Sequence, residues 1–355
     1  MYKQKMSQEL FKNGSKLKNE IYLATTIAIS WAWGFSLLNG ITVTQEKGII
    51  PFIIWGTANA FTLAFFGWFA FNFPKLFSVV DSKFVLGFTT IVRVFSIWIQ
   101  MSAIYETMMA TGFSNLASQI GAYIVGAIII YYMFRSGIRG SMIMDQFGWY
   151  IIIACIIGII ILGTTNNTFQ FEALSIGTGS TITWAVWNAI LLLGGPIVDL
   201  QNIQRGKIAY KYNMKRAYFI SSLLFFVYMI LVFLLSVFEK TFSMQILLLI
   251  AVFFLATSTL NSDAVALHEA KGSRVGVIAG LSAVLLWQFV KWIGFFNLWQ
   301  IIANLRIWVA ISVVIATIIW TKKQKDKSKQ KEEVFSVIFE NDHDVGIYDL
   351  KKKNM

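Results

Sequence analysis

Apolar runs of about twenty residues recur along this chain between short polar stretches, and each is long enough to cross a bilayer as a helix. The pattern predicts ten spans, at roughly 21–45, 49–73, 84–112, 119–136, 147–165, 181–203, 215–238, 243–267, 275–297 and 299–321. Ahead of them, residues 1–20 form a polar, basic arm without the short apolar core and small-residue cleavage site of a signal peptide. Behind them, residues 322–355 open with KKQKDKSKQKEE, a charged tail suited to lying against anionic lipid. The expected fold class is therefore an all-α polytopic membrane protein whose function resides in the bundle of residues 21–321.

The sixth span interrupts its own pattern. In TWAVWNAILLLGGPIVDLQNIQR, Thr183 to Arg205, the only strongly polar residues between Trp184 and Leu200 are Asn188 and Asp199, yet the middle holds Gly194, Gly195 and Pro196. Proline removes a backbone donor and clashes with the preceding turn, and glycine is a poor helix former. In hydrocarbon each freed polar group costs several kcal/mol unless protein or a water-filled cavity satisfies it. The break is therefore expected to line a cavity. The other two prolines, Pro51 and Pro74, sit at the ends of one apolar segment, so Pro196 alone is placed inside a span. A softer interruption is expected in the first span, where AISWAWGFSLLNG carries Gly34, Ser36, Asn39 and Gly40.

Charge placement adds topology. Loops after even-numbered spans hold eleven cations: Lys75, Lys83, Arg135, Arg139, Arg205, Lys207, Lys211, Lys215, Arg216, Lys271 and Arg274. Loops after odd-numbered spans hold only Lys47 and Lys240. That asymmetry predicts both termini in the cytoplasm, an even number of spans and a plasma-membrane location, the inner membrane in a bacterium. Five helices that start inside oblige the next five to start outside, so two inverted repeats are expected, about 21–165 and 181–321, with the interrupted spans first in each.

Composition narrows the function classes. With 57% hydrophobic and 14% charged residues the chain is no soluble domain, and its net charge of +12 lies in tails and alternate loops, as membrane topology rather than nucleic-acid binding requires. Cys155, the single cysteine, lies in the apolar run IIIACIIGIII, which leaves no intrachain disulfide or thiolate metal cluster. His268 and His343, the only histidines, lie away from any midplane and lack metal-ligand spacing, and no nucleophile-base set is visible, so an enzyme is disfavoured. A channel is disfavoured because no filter-like sequence repeats. A transporter of a small organic solute, or a sensor on the same fold, remains.

Ten spans, interruptions in the first and sixth, and the eighth-span string LATSTLNSDA, Leu255 to Ala264, resemble the five-plus-five inverted-repeat fold of the amino acid-polyamine-cation superfamily, known from the bacterial leucine transporter. Within it the chain is most similar to the sodium/solute symporter family, with nucleobase-cation symporters as a second match. The likeness rests on the hydroxyl residues Ser258, Thr259 and Ser262, and on Gln204 and Arg205 followed by a basic run to Ala217. Leu255 departs from it, since the family has a small residue there. The resemblance implies sodium as coupling ion, held by the Ser258 and Thr259 hydroxyls and by carbonyls of Ala32, Phe35 and Leu255, without any other cofactor. Proton-coupled uptake of a nucleobase or amino acid is the alternative.

The remaining candidates come from polarity and depth. Helical spacing puts Arg93, Ser96, Gln100 and Thr107 of the third span on one face, with Gln100 at mid-depth. Substrate contacts are expected from Gly34, Ser36, Gln100, Trp187, Asn188, Gly194 and Gly195, with Trp31, Trp33 and Trp184 able to stack on a ligand or to anchor at the interface. Ionisable groups inside a bilayer are functional candidates by default. Depth pairs Glu106 with Arg306 toward the outside and Arg93 with Asp199 and Asp263 toward the inside, as gate or proton-carrying candidates. Lys291 is expected to snorkel to the interface.

Overall fold

A computed structural model describes residues 16–170, 175–209, 213–271 and 273–341, which leaves most of the basic arm and residues 342–355 outside the described residues. The chain forms α1 (Lys16–Trp31), α2 (Gly34–Thr42), α3 (Ile49–Asn72), a short α4 (Leu76–Val80), α5 (Lys83–Ala110) and α6 (Asn115–Thr165). There follow α7 (Gly179–Gly194), α8 (Leu200–Ala209), α9 (Met214–Ser236), α10 (Phe242–Lys271), α11 (Ser273–Trp292) and α12 (Phe295–Asn341).

The bundle is apolar outside and polar within. Trp292 and Leu285 are 82% and 74% exposed, whereas Arg93, Asp145, Asp199 and Asp263 are fully buried. A water-soluble protein distributes these types the other way, and burying a charge costs too much without a partner. Two apolar cores hold the helices. One centres on Phe66, Tyr218, Phe225 and Val232 between α3 and α9, the other on Ile97, Met101 and Trp287 between α5 and α11.

The expected interruptions are present. α1 and α2 meet at a bend of 62° across Ala32 and Trp33, immediately ahead of Gly34. α7 stops at Gly194, a 3₁₀ turn runs Gly195–Val198, and Asp199 is extended before α8 begins. Three boundaries differ from expectation. α6 is helical through 51 residues and contains two spans, Asn115–Tyr132 and Gly140–Thr165. The fifth span therefore starts ahead of residue 147 and takes Asp145 into the bundle, where a partner on a neighbouring helix makes burial tolerable. Among the described residues eight helices, or nine with the bent pair as one, are long and apolar enough to cross a membrane. The predicted 275–297 span is represented by the shorter apolar stretch Ile278–Trp292, ended by Gly294 at a φ of 89°. The count of ten thus exceeds what length and composition of the helices establish. Finally, α12 carries helix through residue 341, so the first part of the expected tail is helical.

On the face opposite the basic loops, connections lock to one another. Ile49 and Ile50 donate their N–H groups to the carbonyls of Ser175 (2.9 Å) and Ile176 (3.1 Å). The approach needs two glycines: Gly48 and Gly177 both have positive φ, and a Cβ on Gly48 would lie 2.6 Å from the Gly177 nitrogen.

α3 and α9 approach so closely that a Cβ on Gly67 would overlap Tyr218 and sit 2.9 Å from its Cγ. Tyr218 cannot swing aside without giving up the 2.8 Å bond from its hydroxyl to the Asn202 carbonyl. Gly67→Ala should therefore destabilise the detergent-solubilised protein by about 1–3 kcal/mol through overpacking. Gly87→Ala, with open space around it, should instead stabilise by about 0.5–1 kcal/mol through helix propensity. Thermal melts showing equal effects of the two substitutions would contradict this packing.

Candidate functional site

Each helix break is stabilised by a side chain from elsewhere. At the first, the Gly34 N–H donates to Gln100 Oε1 of α5 at 3.0 Å, and a Cβ at Gly34 would come within 3.0 Å of the Val252 carbonyl and 3.2 Å of Ala256. The break is thus pressed onto α10. At the second, Pro196 has no N–H for the carbonyl four residues earlier, that of Leu192, which accepts instead from the Gly195 N–H and from the Thr62 hydroxyl of α3 at 2.8 Å. Arg306 Nη2 of α12 donates to the Gly195 carbonyl at 3.3 Å. The two breaks touch, since a Cβ on Gly195 would lie 2.7 Å from the Trp31 ring.

Between them lies a cavity of about 160 Å³. Its aromatic wall is Trp31, Trp33, Phe35 and Trp55; its polar lining is Ser36, Asn39, Asn59, Asn188 and Arg306. Trp31 is held in place by its Nε1–H, which donates to the Asn59 carbonyl at 3.2 Å. A second cavity of about 440 Å³ shares Phe35 and Asn39 with the first and reaches Glu106, Thr107 and Ala110, at the end of α5 away from the basic loops.

Toward the basic loops the bundle is closed by buried ion pairs. Arg93 donates from Nη1 to Asp263 Oδ1 at 2.6 Å and from Nη2 to Asp199 Oδ2 at 2.9 Å. Gln201 Nε2 adds donations to Asp263 Oδ1 (2.9 Å) and to the Thr259 carbonyl (3.2 Å). The guanidinium carbon of Arg93 is 5.8 Å from the centroid of the Trp33 ring, which joins this network to the first break. Asp199 also caps α8: its Oδ1 accepts the N–H groups of Gln201 (2.8 Å) and Asn202 (3.4 Å). A second pair stands beside it. Arg205 Nη2 donates to Asp145 Oδ2 and to Ser262 Oγ, both at 2.8 Å, while Ser258 Oγ donates to Asp145 Oδ1 at 2.6 Å. At the helical rise of about 1.5 Å per residue, Arg93 lies roughly 10 Å nearer the basic loops than Gln100.

The structure therefore brings Ser36, Phe35, Asn188, Gly195 and Arg306 to the cavity wall. Gln100 and Gly34 meet each other at the first break. Gly194 lies against Ala310 and Ile307 of α12 instead. Trp187 is 47% exposed and donates to Asn304 Oδ1 at 3.3 Å, on the outer surface of the bundle. Arg93, Asp199 and Asp263 form one network, as their depths suggest. The expected Glu106–Arg306 pairing is not formed: Glu106 bonds to Lys291 at 3.2 Å, while Arg306 turns inward to the carbonyl that the sixth-helix break frees. Lys291 accordingly sits over the Tyr105 ring at 3.5 Å rather than only reaching for the interface. Of the hydroxyls expected to hold sodium, Ser258 faces Asp145, and Thr259 donates to the Leu255 carbonyl of its own helix at 3.1 Å.

Sequence reading missed Asn59 and Trp55, whose lone polar or aromatic character in a span gives no distinctive signal. It also missed Asp145, placed just ahead of the apolar run, and counted Arg205 among solvated loop cations although it is 2% exposed. A signal existed for both: one acid and one base, each flanking a span on the same side of the bundle.

No family model matches the chain, and no curated protein matches it either. Among solved structures, it is similar to the one described as "Substrate-bound outward-open state of a Na+-coupled sialic acid symporter reveals a novel Na+-site". The TM-score is 0.52 at 13% identity, over 82% of this chain and 77% of that one. Likeness at that identity establishes the fold alone: this chain shares the helical architecture of that structure over most of its length.

Proposed function

We propose that the chain is a secondary active transporter that moves a small organic solute by alternating access, in symport with a cation. The observation that carries this reading is the cavity between two touching helix breaks, shut toward the basic loops by buried ion pairs and adjoining a larger cavity on the other side. Unwound backbone at membrane depth is tolerated where it lines such a cavity, and half-helices meeting there are a recurrent way of holding a substrate. In this reading the core is two inverted five-helix repeats, about 21–165 and 181–321, with the basic loops and both termini cytoplasmic in a plasma membrane. The conformation is then closed to the cytoplasm.

Sodium is the proposed coupling ion, in keeping with the structural neighbour, a Na+-coupled sialic acid symporter. Its ligands would be the hydroxyls of Ser258 and Thr259 and the carbonyls of Ala32, Phe35 and Leu255, where the first break packs against α10. Both hydroxyls now donate elsewhere, and each would have to turn its lone pairs to the ion. One observation favours a second reading, sodium-independent or proton-coupled uptake: Arg205 already brings a positive charge to Asp145 and Ser262, beside Ser258.

Uptake into proteoliposomes decides between them. A solute found by thermal-shift screening should accumulate in a sodium gradient and cease to do so when choline replaces sodium. Uptake indifferent to choline but abolished by collapsing a proton gradient would remove sodium from the mechanism. Binding without counterflow would favour a sensor.

The ion-pair closure gives a further expectation. Arg93→Gln strands two buried carboxylates and should cost about 3–5 kcal/mol of stability. Combining it with Asp199→Asn and Asp263→Asn removes the stranded charges, and most of that loss should return while uptake does not. Recovery of uptake in the triple variant would mean that the network only neutralises charge and has no part in gating.

A further inference from the structure

We infer that the seam between α3 and α9 holds one anionic phospholipid of the leaflet on the basic-loop side, its phosphate at Lys215 and Arg216 and an acyl chain between aromatic side chains. The site lies on the outer surface of the bundle, away from the central cavity, and stands whether or not the chain transports.

A groove of about 620 Å³ runs along this seam. Phe61, Phe65 and Trp68 of α3 form one wall, with the small Ala64 among them, and Phe219 of α9 forms the other. Toward the core the two helices touch where Gly67 packs on Tyr218, both buried, so the groove is closed behind. Phe61, Trp68 and Phe219 are each about half exposed, so it is open in front, where the bundle meets lipid. From Phe61 to Phe71 the helix rises about 15 Å, one leaflet of a hydrocarbon core about 30 Å thick.

Charge is confined to one end. Lys215 and Arg216 line the groove at the first turn of α9, where the Asn213 side chain accepts the Arg216 N–H at 3.3 Å and the positive end of the helix dipole adds to their charge. Lys215 is exposed, and its Nζ sits 4.4 Å from the centre of the Phe71 ring, which keeps the ammonium at the mouth. Arg216 turns its Nε to Glu20 Oε2 at 3.3 Å, yet its side chain remains 55% exposed, and a guanidinium carries further N–H donors that suit a phosphate. One carboxylate against two cations leaves the mouth positive. Farther from the basic loops the same helices line a smaller groove of about 180 Å³ around Ile53, Thr57, Phe226 and Ile230, with no charged residue in its wall. One charged end and an apolar remainder is the pattern of a phospholipid, and a basic pocket between spans at that depth suits an anionic headgroup. A second copy of the chain fits worse. Copies in one bilayer are related by an axis along its normal, so pairing on this seam would set Lys215 and Arg216 of each against those of the other at one depth.

Chain-brominated phosphatidylglycerol and chain-brominated phosphatidylcholine share their tails and differ in headgroup charge, so they test the assignment. With the full-length protein in phosphatidylcholine nanodiscs and either lipid added as a minor component, the tryptophan quenching that Trp68→Phe removes reports the groove. Phosphatidylglycerol should occupy it about fivefold more readily than phosphatidylcholine, the attraction of roughly one cation at a membrane surface. Lys215→Gln should bring the two lipids near parity, while Lys83→Gln, on the same side of the bundle, should leave the preference intact. Ala64→Phe should fill the groove and lower quenching by both lipids. Arg216→Gln also strands the buried Glu20, so its melting temperature reports whether the fold survives, and Lys215→Gln stands as the test if it does not. Equal quenching by the two lipids, or a preference indifferent to Lys215→Gln, would overturn the assignment. An equal loss with Lys83→Gln would reduce it to general surface attraction, and displacement by glycerol phosphate, which has no tails, would make it a phosphate site. A dimer in phosphatidylcholine nanodiscs that Ala64→Phe dissolves would give the groove to a second copy instead. None of these readings uses uptake, so lipid binding and transport can each fail alone.

Discussion

A backbone group freed inside hydrocarbon must find a partner, and the centre of this bundle follows from where those partners come from. Pro196 removes the helical donor of the Leu192 carbonyl, which the Gly195 N–H and Thr62, reaching across from α3, supply instead. The Gly34 N–H, at the start of a half-helix, is met by Gln100 of α5, and the Gly195 carbonyl by Arg306 of α12. Three helices outside the interrupted pair thereby become fixed to the breaks. The cavity is what remains between those fixed points, so its shape is set by polar satisfaction as much as by apolar packing.

The same constraint acts more severely on charge, and it sorts the buried ionic groups by position. Toward the basic loops, guanidinium and carboxylate groups are matched and hydrogen-bonded, with Arg93 between Asp199 and Asp263 and Arg205 between Asp145 and Ser262. A buried pair of this kind contributes little net stability compared with an apolar substitute, though breaking one is costly. Its value lies in specificity: each pair holds one helix in one register against another. At cavity level the lining turns to aromatic rings and amides, with Arg306 bonded to the Gly195 carbonyl in the wall. The bundle is ionically tight at one end and holds its cavity between aromatic and amide side chains in the middle.

Much of this was legible in sequence. Gly-Gly-Pro within an apolar run announces a broken span because proline chemistry is local. Arg93, Asp199 and Asp263 could be matched by depth alone, since three ionic groups at one level of a bilayer have few other partners. Depth misled for Glu106 and Arg306. Both lie on the same side of the midplane, but depth carries no azimuth, and Glu106 points to α11 while Arg306 points to the core. Arg205 and Asp145 were obscured for a different reason. Each lies at the edge of its apolar run, where a window of hydropathy cannot distinguish a solvated loop from the buried end of a tilted helix. Trp187, expected in the cavity, faces outward because α7 presents Asn188 to the cavity and the neighbouring position points away, one residue amounting to about 100° around a helix.

The short helix α8 is where these constraints converge. It is separated from α7 by a 3₁₀ turn and an extended residue, so it is free of the helical hydrogen bonding that would tie it to the span before it. Ile203 and Ala209 join it to the apolar core, and its other attachments are polar. Asp199 at its cap holds Arg93 of α5, Gln201 holds Asp263 and the Thr259 carbonyl of α10, and Arg205 holds Asp145 of α6 and Ser262 of α10. Opening the bundle toward the basic loops by moving α8 must break these contacts together, because they sit within seven consecutive residues of one rigid stretch. Such an opening is affordable only if water enters as the pairs part, since each exposed ion then recovers its hydration. Gly194, Gly195 and Pro196 thus do more than interrupt a helix. They detach from the sixth span a ten-residue segment whose polar face is held by buried ion pairs and whose apolar face, through Ile203 and Ala209, joins the core.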